Sequence, residues 1–316
     1  MPTPINLGQP TKLNCEVAVF SGAAGLEAQD LGAKRIELNA PGSYEEGGLT
    51  PPVKELTSIA SQLEIAVRIM IRPRGAPRAA STPQLKQDHE KDQEKDQEKE
   101  QTEDEKKQAE DEADKLQDFV YNDHEIALML QAIADFKATR VLNPIRGDGF
   151  IFGILRRQTK ASTLTKYPGL RHTIDEERCK LLIDAAKPFP CVFHRAFDPI
   201  AASERWAKGI DILVRCGFDG VLTAGGLGGC HDNQDKLDAI CHRGHPSSLQ
   251  LIAGGGVRKG TVGPLVAQLS VHGTKNVWIH TAALGRDVDR DGRRVEELNA
   301  RELRGIINIM NNTRPD

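Results

Sequence analysis

The chain has no apolar run long enough to cross a membrane, no C-x-x-C pair and no strong net charge of either sign. Each absence removes a class of protein. A helical span needs about 20 consecutive apolar residues, and the opening MPTPINLGQPTKLN has neither the basic start nor the apolar core of a secretory signal. A soluble cytoplasmic protein without a membrane partner is the expectation. The six cysteines, Cys15, Cys179, Cys191, Cys216, Cys230 and Cys241, are scattered singly, which argues against a disulfide framework or a structural zinc site and for reduced core thiols. A formal net charge of −3 over 316 residues leaves no electrostatic footprint for nucleic acid.

One stretch lacks almost everything a core needs. From Lys91 to Lys115 there is no aromatic or branched aliphatic residue, and Lys-Asp-Gln-Glu occurs twice in tandem. Between Lys86 and Lys115 stand 14 Asp/Glu and 7 Lys, a local charge of −7 that leaves the remainder of the chain about +4. Such a composition cannot bury enough apolar surface to offset the cost of ordering its backbone. Residues 76–117 therefore read as a low-complexity insertion, disordered or a single helix laced by i,i+4 charge pairs, with binding of a partner as a further role it could serve.

With residues 1–13 set aside as a tail, the rest alternates short apolar runs with amphipathic ones. Eight candidate strands occur at 15–20, 35–39, 65–72, 149–154, 191–197, 220–224, 249–254 and 276–281, with helical patterns between them and a last helix over 295–310. Strands alternating with helices imply βαβ crossovers and a parallel sheet. Eight pairs predict a single-domain (β/α)8 TIM barrel over 14–312, and a doubly wound open sheet is the alternative. Thr50 before Pro51-Pro52 reads as a helix N-cap, and Thr173 with Glu176 as a capping box. The stretch 139–149 fits neither pattern.

Active sites of such barrels lie at the C-terminal ends of the strands. Polar groups collect there: Glu37, Arg72, Arg74, His194, Arg195, Asp198, Thr223, His280 and Thr281, with Arg35 and Glu16 earlier in their strands and so deeper. Glu37, His194 and Asp198 are the candidate acid/base groups, because imidazole titrates nearest neutrality and carboxylates are readily tuned. Alternation along 191–197 puts His194 with Val192 and Ala196, and Arg195 on the opposite face. Gly254, Gly255 and Gly256 close strand seven just before a helix, where open amides and the helix dipole suit an anion. With Glu16, Arg35, Arg72, Arg74, Arg195 and Thr223 they form the candidate anion or substrate set. Cys230-His231 and Cys241-His242 with His245 flank one predicted helix, but their spacing matches no metal motif, and no metal-ligand set is assigned.

Several of these stretches resemble the CutC copper homeostasis family. The resemblance rests on Glu16-Val17 with Phe20-Ser21, Arg35-Ile-Glu-Leu38, Glu46-Gly-Gly-Leu-Thr-Pro51, Met70-Ile-Arg-Pro-Arg-Gly75, Asp118-Phe-Val-Tyr-Asn-Asp123, Phe193-His-Arg-Ala-Phe-Asp198, Val221-Leu-Thr223 and Ala253-Gly-Gly-Gly-Val257. It implies a barrel, a role in copper handling, and an insertion that separates two motifs adjacent in the family. It also implies Cu(I) as a candidate cofactor. Family cysteines are replaced here by Ala18 and Asn39, however, and His280 stands one position off the family's pattern, which would turn it to the other face. Three functions follow: a CutC-like copper protein, a barrel enzyme acting on a phosphorylated or carboxylated metabolite, or a scaffold whose insertion binds a partner. Homo-oligomerisation is left open.

Overall fold

In the computed structural model, eight strands close into one parallel barrel. They are β1 (Asn14–Val19), β2 (Arg35–Leu38), β3 (Ala66–Met70), β4 (Gly149–Phe152), β7 (Cys191–Phe193), β8 (Gly220–Thr223), β9 (Gln250–Gly254) and β10 (Val277–Thr281). Each pairs in parallel with the next, β4 with β7, and β10 returns to β1. The structure describes residues 12–77, 118–157, 172–285, 287, 288, 292 and 295–313. The predicted insertion lies outside these residues except for its first two positions.

Alternation sorts the strand side chains. One set, including Val17, Ile36, Ile69, Phe150, Phe193, Val221 and Ile279, packs outward against the helices in the main core, while Met70, Ile151, Val192, Leu222 and Ile252 form a separate apolar cluster inside the barrel. Helices cover the outside because each carries an apolar stripe. In α3 (Asp123–Ala138) Ile126, Met129, Ile133 and Phe136 are buried at helical spacing, and a capping box of Asn122 and Glu125 fixes the start.

The local signals at 50 and 173 are corrected. Helix α2 (Val53–Thr57) is preceded by Pro52 and has no side-chain cap; the Thr50 hydroxyl instead donates to the Arg72 carbonyl and accepts from the Arg72 amide, holding the chain at the end of β3. Thr173 lies in a two-stranded antiparallel sheet, β5 (Leu155–Arg157) with β6 (His172–Ile174), and the cap of α4 (Glu176–Ala186) is Asp175. The irregular stretch 139–149 is a turn built on Asp148. Its fully buried carboxylate accepts from Val67 N at 3.0 Å and Asn143 N at 2.7 Å and pairs with Arg146.

The fifth barrel strand is also shorter than expected. It ends at Phe193, and His194 caps a 3-10 turn over Arg195–Phe197 by accepting from Ala196 N through Nδ1 at 3.3 Å. The alternation expected through residue 197 therefore stops, and Arg195 and Asp198 project from a turn at the barrel end.

Candidate active site at the barrel mouth

The inward faces of the strands are graded from apolar to charged around the barrel. Glu16 on β1 is fully buried, and its two oxygens are both taken: Oε2 by Arg35 Nε, and Oε1 by His280 Nδ1 at 2.8 Å. Arg35 lies with its guanidinium 3.9 Å from the centroid of the Trp278 ring. On β2, Glu37 Oε1 accepts from Asn39 Nδ2 at 3.0 Å, and Glu37 Oε2 is buried without a hydrogen bond. The registers explain the convergence, since Glu16 sits opposite both Arg35 and His280. The displaced histidine is thus still inside the barrel, correcting the expectation that its position would turn it away. Asn39 holds Glu37.

Glycine makes room for these groups where any other residue would collide. A Cβ on Gly153 would fall 2.5 Å from His194 Nδ1, and one on Gly254 would fall 2.9 Å from His280 Cδ2. Below them, a Cβ on Gly149 would fall 2.3 Å from Arg68 Nη1. The bulky polar side chains of His194, His280 and Arg68 are seated against glycines of neighbouring segments.

A cavity of about 970 Å3 opens at this end of the barrel, lined among others by Glu37, Arg72, His194, Arg195, Asp198 and His280. Its histidines differ in charge. Burial, then the nearby Arg72 guanidinium, lowers His194 to about 3, so the ring is neutral at physiological pH. Because Nδ1 accepts a backbone N–H, the ring proton is assigned to Nε2, which is buried and has no partner. For His280 burial acts downward, but Glu37 and Glu16 outweigh it and raise the pKa. Burial raises Glu37, with His280 opposing. Glu16 is held low by Arg35 and His280 against the effect of burial. Glu37 and His280 consequently titrate as a coupled pair beside a fixed Glu16–Arg35 ion pair.

The predicted residues divide into those with open chemistry and those whose polar atoms are occupied. Asp198 accepts from Thr223 Oγ1 (2.6 Å), Ala224 N (2.8 Å) and Arg195 Nε (2.7 Å), so its geometry is that of a positioning residue joining the ends of β7 and β8. Arg72 is largely committed, with its buried Nε alone lacking a partner. Its Nη1 donates to the carbonyls of Glu46 and Gly48, and its Nη2 makes a bidentate pair with Asp118 at 3.0 and 3.1 Å. Arg74 is not among the cavity-lining residues; it pairs with Glu125 and lies over Tyr121. Arg195, by contrast, is about half exposed, with its guanidinium beside Gly255. The carbonyls of Gly255, Gly256 and Val257 accept from Cys230 N, Thr261 Oγ1 and Thr281 Oγ1, which leaves amides as the open polar edge of this loop.

Two features were missed in the sequence. Arg68, on the inward face of β3 with Met70 and Arg72, donates to Gly147 O and is lowered to about 10 by burial and by Arg35. Phe119 adopts a positive φ of 64° and packs edge-on to His194 at 4.8 Å while lying under Arg72. A large aromatic in that backbone region is held against a steric cost, of about 1–3 kcal/mol, that tends to collect at functional sites. The spacing of Arg68 from Arg72 could have found the first; no sequence signal marks the second.

A model of the CutC family matches residues 13–97 and 114–280. The chain belongs to the CutC family. The break in that match falls inside the charged stretch, as expected for an insertion relative to the family. The human copper homeostasis protein cutC homolog is 29% identical over 214 residues, which cover 66% of this chain and 53% of the relative. The chain thus spans about half the length of that human protein. A family protein CutC from Treponema denticola is 25% identical over 274 residues, covering 87% of this chain and 82% of the relative. The crystal structure of the putative CutC from Streptococcus agalactiae aligns with a TM-score of 0.58 at 22% identity, covering 85% of this chain and 98% of that one, a likeness of fold. No helix among the described residues is long and apolar enough to cross a membrane.

The CutC name raises the question of copper. Cu(I) favours thiolates and thioethers. All six cysteines are buried and unpaired by disulfide, and burial raises each of their thiols, Cys15, Cys191, Cys230 and Cys241 to about 12. Among the described residues, the clusters of three ligand-bearing side chains are Glu16, Glu37 and His280 in the barrel and Asp238, His242 and His272 outside it; neither contains sulfur. The site residues do not fit Cu(I). A divalent ion on Glu16 and Glu37 would compete with Arg35, which already occupies Glu16.

Proposed function

We propose that this CutC-family protein is a cytosolic barrel enzyme that transfers a proton on a small carboxylated or phosphorylated carbonyl compound. Its connection to copper homeostasis, the role named for the human relative, is then indirect. The observation that carries this reading is the neutral, buried His194 with its Nε2–H unpartnered, in the same cavity as the coupled Glu37–His280 pair. A buried donor left without a partner costs about 1–3 kcal/mol unless a ligand completes it. His194 lines the cavity, and a ligand that reaches this donor would have its oxygen polarised without loss of the ring proton. Glu37, its pKa raised by burial and its Oε2 open, serves as the base, and His280 supplies or stores the compensating proton. Arg195 and the open amide edge at Gly255-Gly256 hold the anionic end. Six thiols without a disulfide accord with a reducing compartment.

The test uses a panel of phosphorylated and carboxylated aldehydes and ketones in D2O. At about millimolar concentration, at least one should raise the melting temperature and acquire deuterium at the carbon beside its carbonyl. Glu37→Gln should slow that exchange by about 100- to 10,000-fold, the usual contribution of a positioned acid or base. A panel that neither shifts the melting curve nor exchanges would overturn the reading.

A further inference from the structure

Outside the barrel, two elements bring a second set of ligand atoms together. Helix α7 (Gln234–Gly244) carries Asp238 and His242 one turn apart on one face, and the 3-10 turn Ser270–His272, which follows helix α8 (Val262–Leu269), sets His272 against them. His272 Nε2 lies 2.7 Å from Asp238 Oδ1, and His242 Nε2 lies 3.6 Å from Asp238 Oδ2. The two imidazole rings meet edge to face with centroids 4.5 Å apart, and one ligand atom from each residue falls within 4.8 Å of the others. The frame is tied one turn away, where Gln268 Nε2 donates to Asp235 at 3.2 Å, and Asn276 Nδ2 donates to the His272 carbonyl at 2.8 Å. His272 is nearly buried while His242 is mostly exposed, so the cluster has a fixed inner side and a side open to solution.

We propose that Asp238, His242 and His272 bind a divalent first-row transition metal. Two imidazoles and a carboxylate match Zn2+, Ni2+ or Cu2+, and the absence of a thiolate or thioether disfavours Cu(I). Tetrahedral zinc with bonds of about 2.0–2.2 Å places its donor atoms roughly 3.3 Å apart. The distances of 2.7 and 3.6 Å run to different oxygens of Asp238, and one donor atom from each residue lies within 4.8 Å of the others, so rotation of the carboxylate and the rings would bring them to that spacing. On binding, His272 takes the tautomer with its proton on Nδ1, which leaves Nε2 free to ligate, and the fourth position stays with water on the exposed side. Cys241, next in sequence to His242, is buried and lies outside the cluster, and is not a ligand.

The experiment is a Zn2+ titration of the full chain against a chromophoric chelator, repeated with His242→Ala, His272→Gln and Glu37→Gln. His242 is 70% exposed, so its removal leaves the fold, checked by melting, intact. One bound equivalent is expected, weakened by at least about tenfold in both histidine variants, since even loss of a ligand's supporting partner has that effect. Glu37→Gln should bind as the parent does, which separates this cluster from the one in the barrel. No binding, binding that survives His242→Ala, or binding lost with Glu37→Gln would each overturn the proposal.

Discussion

The two sides of the barrel mouth carry the same side chain in opposite states. Across the neighbouring strands β10, β1 and β2, His280 sits between two glutamates and is drawn toward its charged form. At the end of β7, His194 sits among Phe119, Phe193 and the glycine of the neighbouring strand, with Arg72 nearby, and is kept neutral. Glu16 is closed by Arg35 and His280, whereas Glu37 Oε2 beside it and His194 Nε2 across the mouth have no partner. The difference separates what holds the fold from what is open to a ligand. Stability should reside in the closed Glu16–Arg35–His280 contacts, and reactivity should depend on Glu37 and His194.

Removing a charge from the network is the strongest way to break that contrast. Glu16→Gln leaves Arg35 buried without its counter-charge and Arg68 close by, and should cost about 3–5 kcal/mol in chemical denaturation, the range for a buried pair that loses one partner. On the other side, His194→Leu removes the unpartnered donor but also the acceptor for the buried Ala196 N–H, so it should cost about 1–3 kcal/mol, less than Glu16→Gln, while abolishing the exchange reaction. Equal losses from the two substitutions would mean that the division between fold and function is wrong.

A smaller effect tests the seating of His194. Gly153→Ala puts a Cβ 2.5 Å from Nδ1, so the ring or the strand must move. A cost of about 1–3 kcal/mol is expected. Gly260→Ala, where a Cβ meets nothing within 4 Å, serves as the control and should be near neutral. Matching costs would show that the glycine's flexibility, not the space it leaves for His194, sets the value.

Much of the barrel was legible because its periodicities are simple. The apolar runs of β1, β2, β8, β9 and β10 fall within a few residues of where the structure places them, since outward and inward faces both exclude water. The end of β7 was not legible, because CVFHRAF alternates acceptably as a strand and only the His194 to Ala196 hydrogen bond turns it. Thr50 and Thr173 misled for a related reason: a hydroxyl near a helix start reads as a cap, yet the Thr50 hydroxyl is held by Arg72 and Thr173 lies in a strand. At the site, residue types were readable but their commitments were not. Sequence placed Arg72, Arg195 and Asp198 at one mouth, while only the fold shows Arg72 and Asp198 occupied and Arg195 open. The Asp238, His242 and His272 cluster was beyond reach, because its third member comes from another helix-turn unit 30 or more positions away.

The mildest test sharpens the comparison through pH. A histidine whose folded pKa is lowered contributes stability that is complete above its unfolded value, about 6.5, and is lost as pH falls from there toward about 3. His280 has the opposite sign. Its folded pKa is raised, so its contribution is complete below about 6.5 and disappears as pH rises through the folded value. Each acts with a slope of at most about 1.4 kcal/mol per pH unit. His194→Gln should therefore flatten the acid limb of the stability profile, and His280→Gln the limb above neutrality. In the parent, the His194 ring resonances should not titrate between pH 5 and 8, while those of His280 should report a charged ring at pH 6.5. If both substitutions flatten the same limb, the two sides of the mouth share one environment, and the assignment of neutral donor to one and charged partner to the other fails.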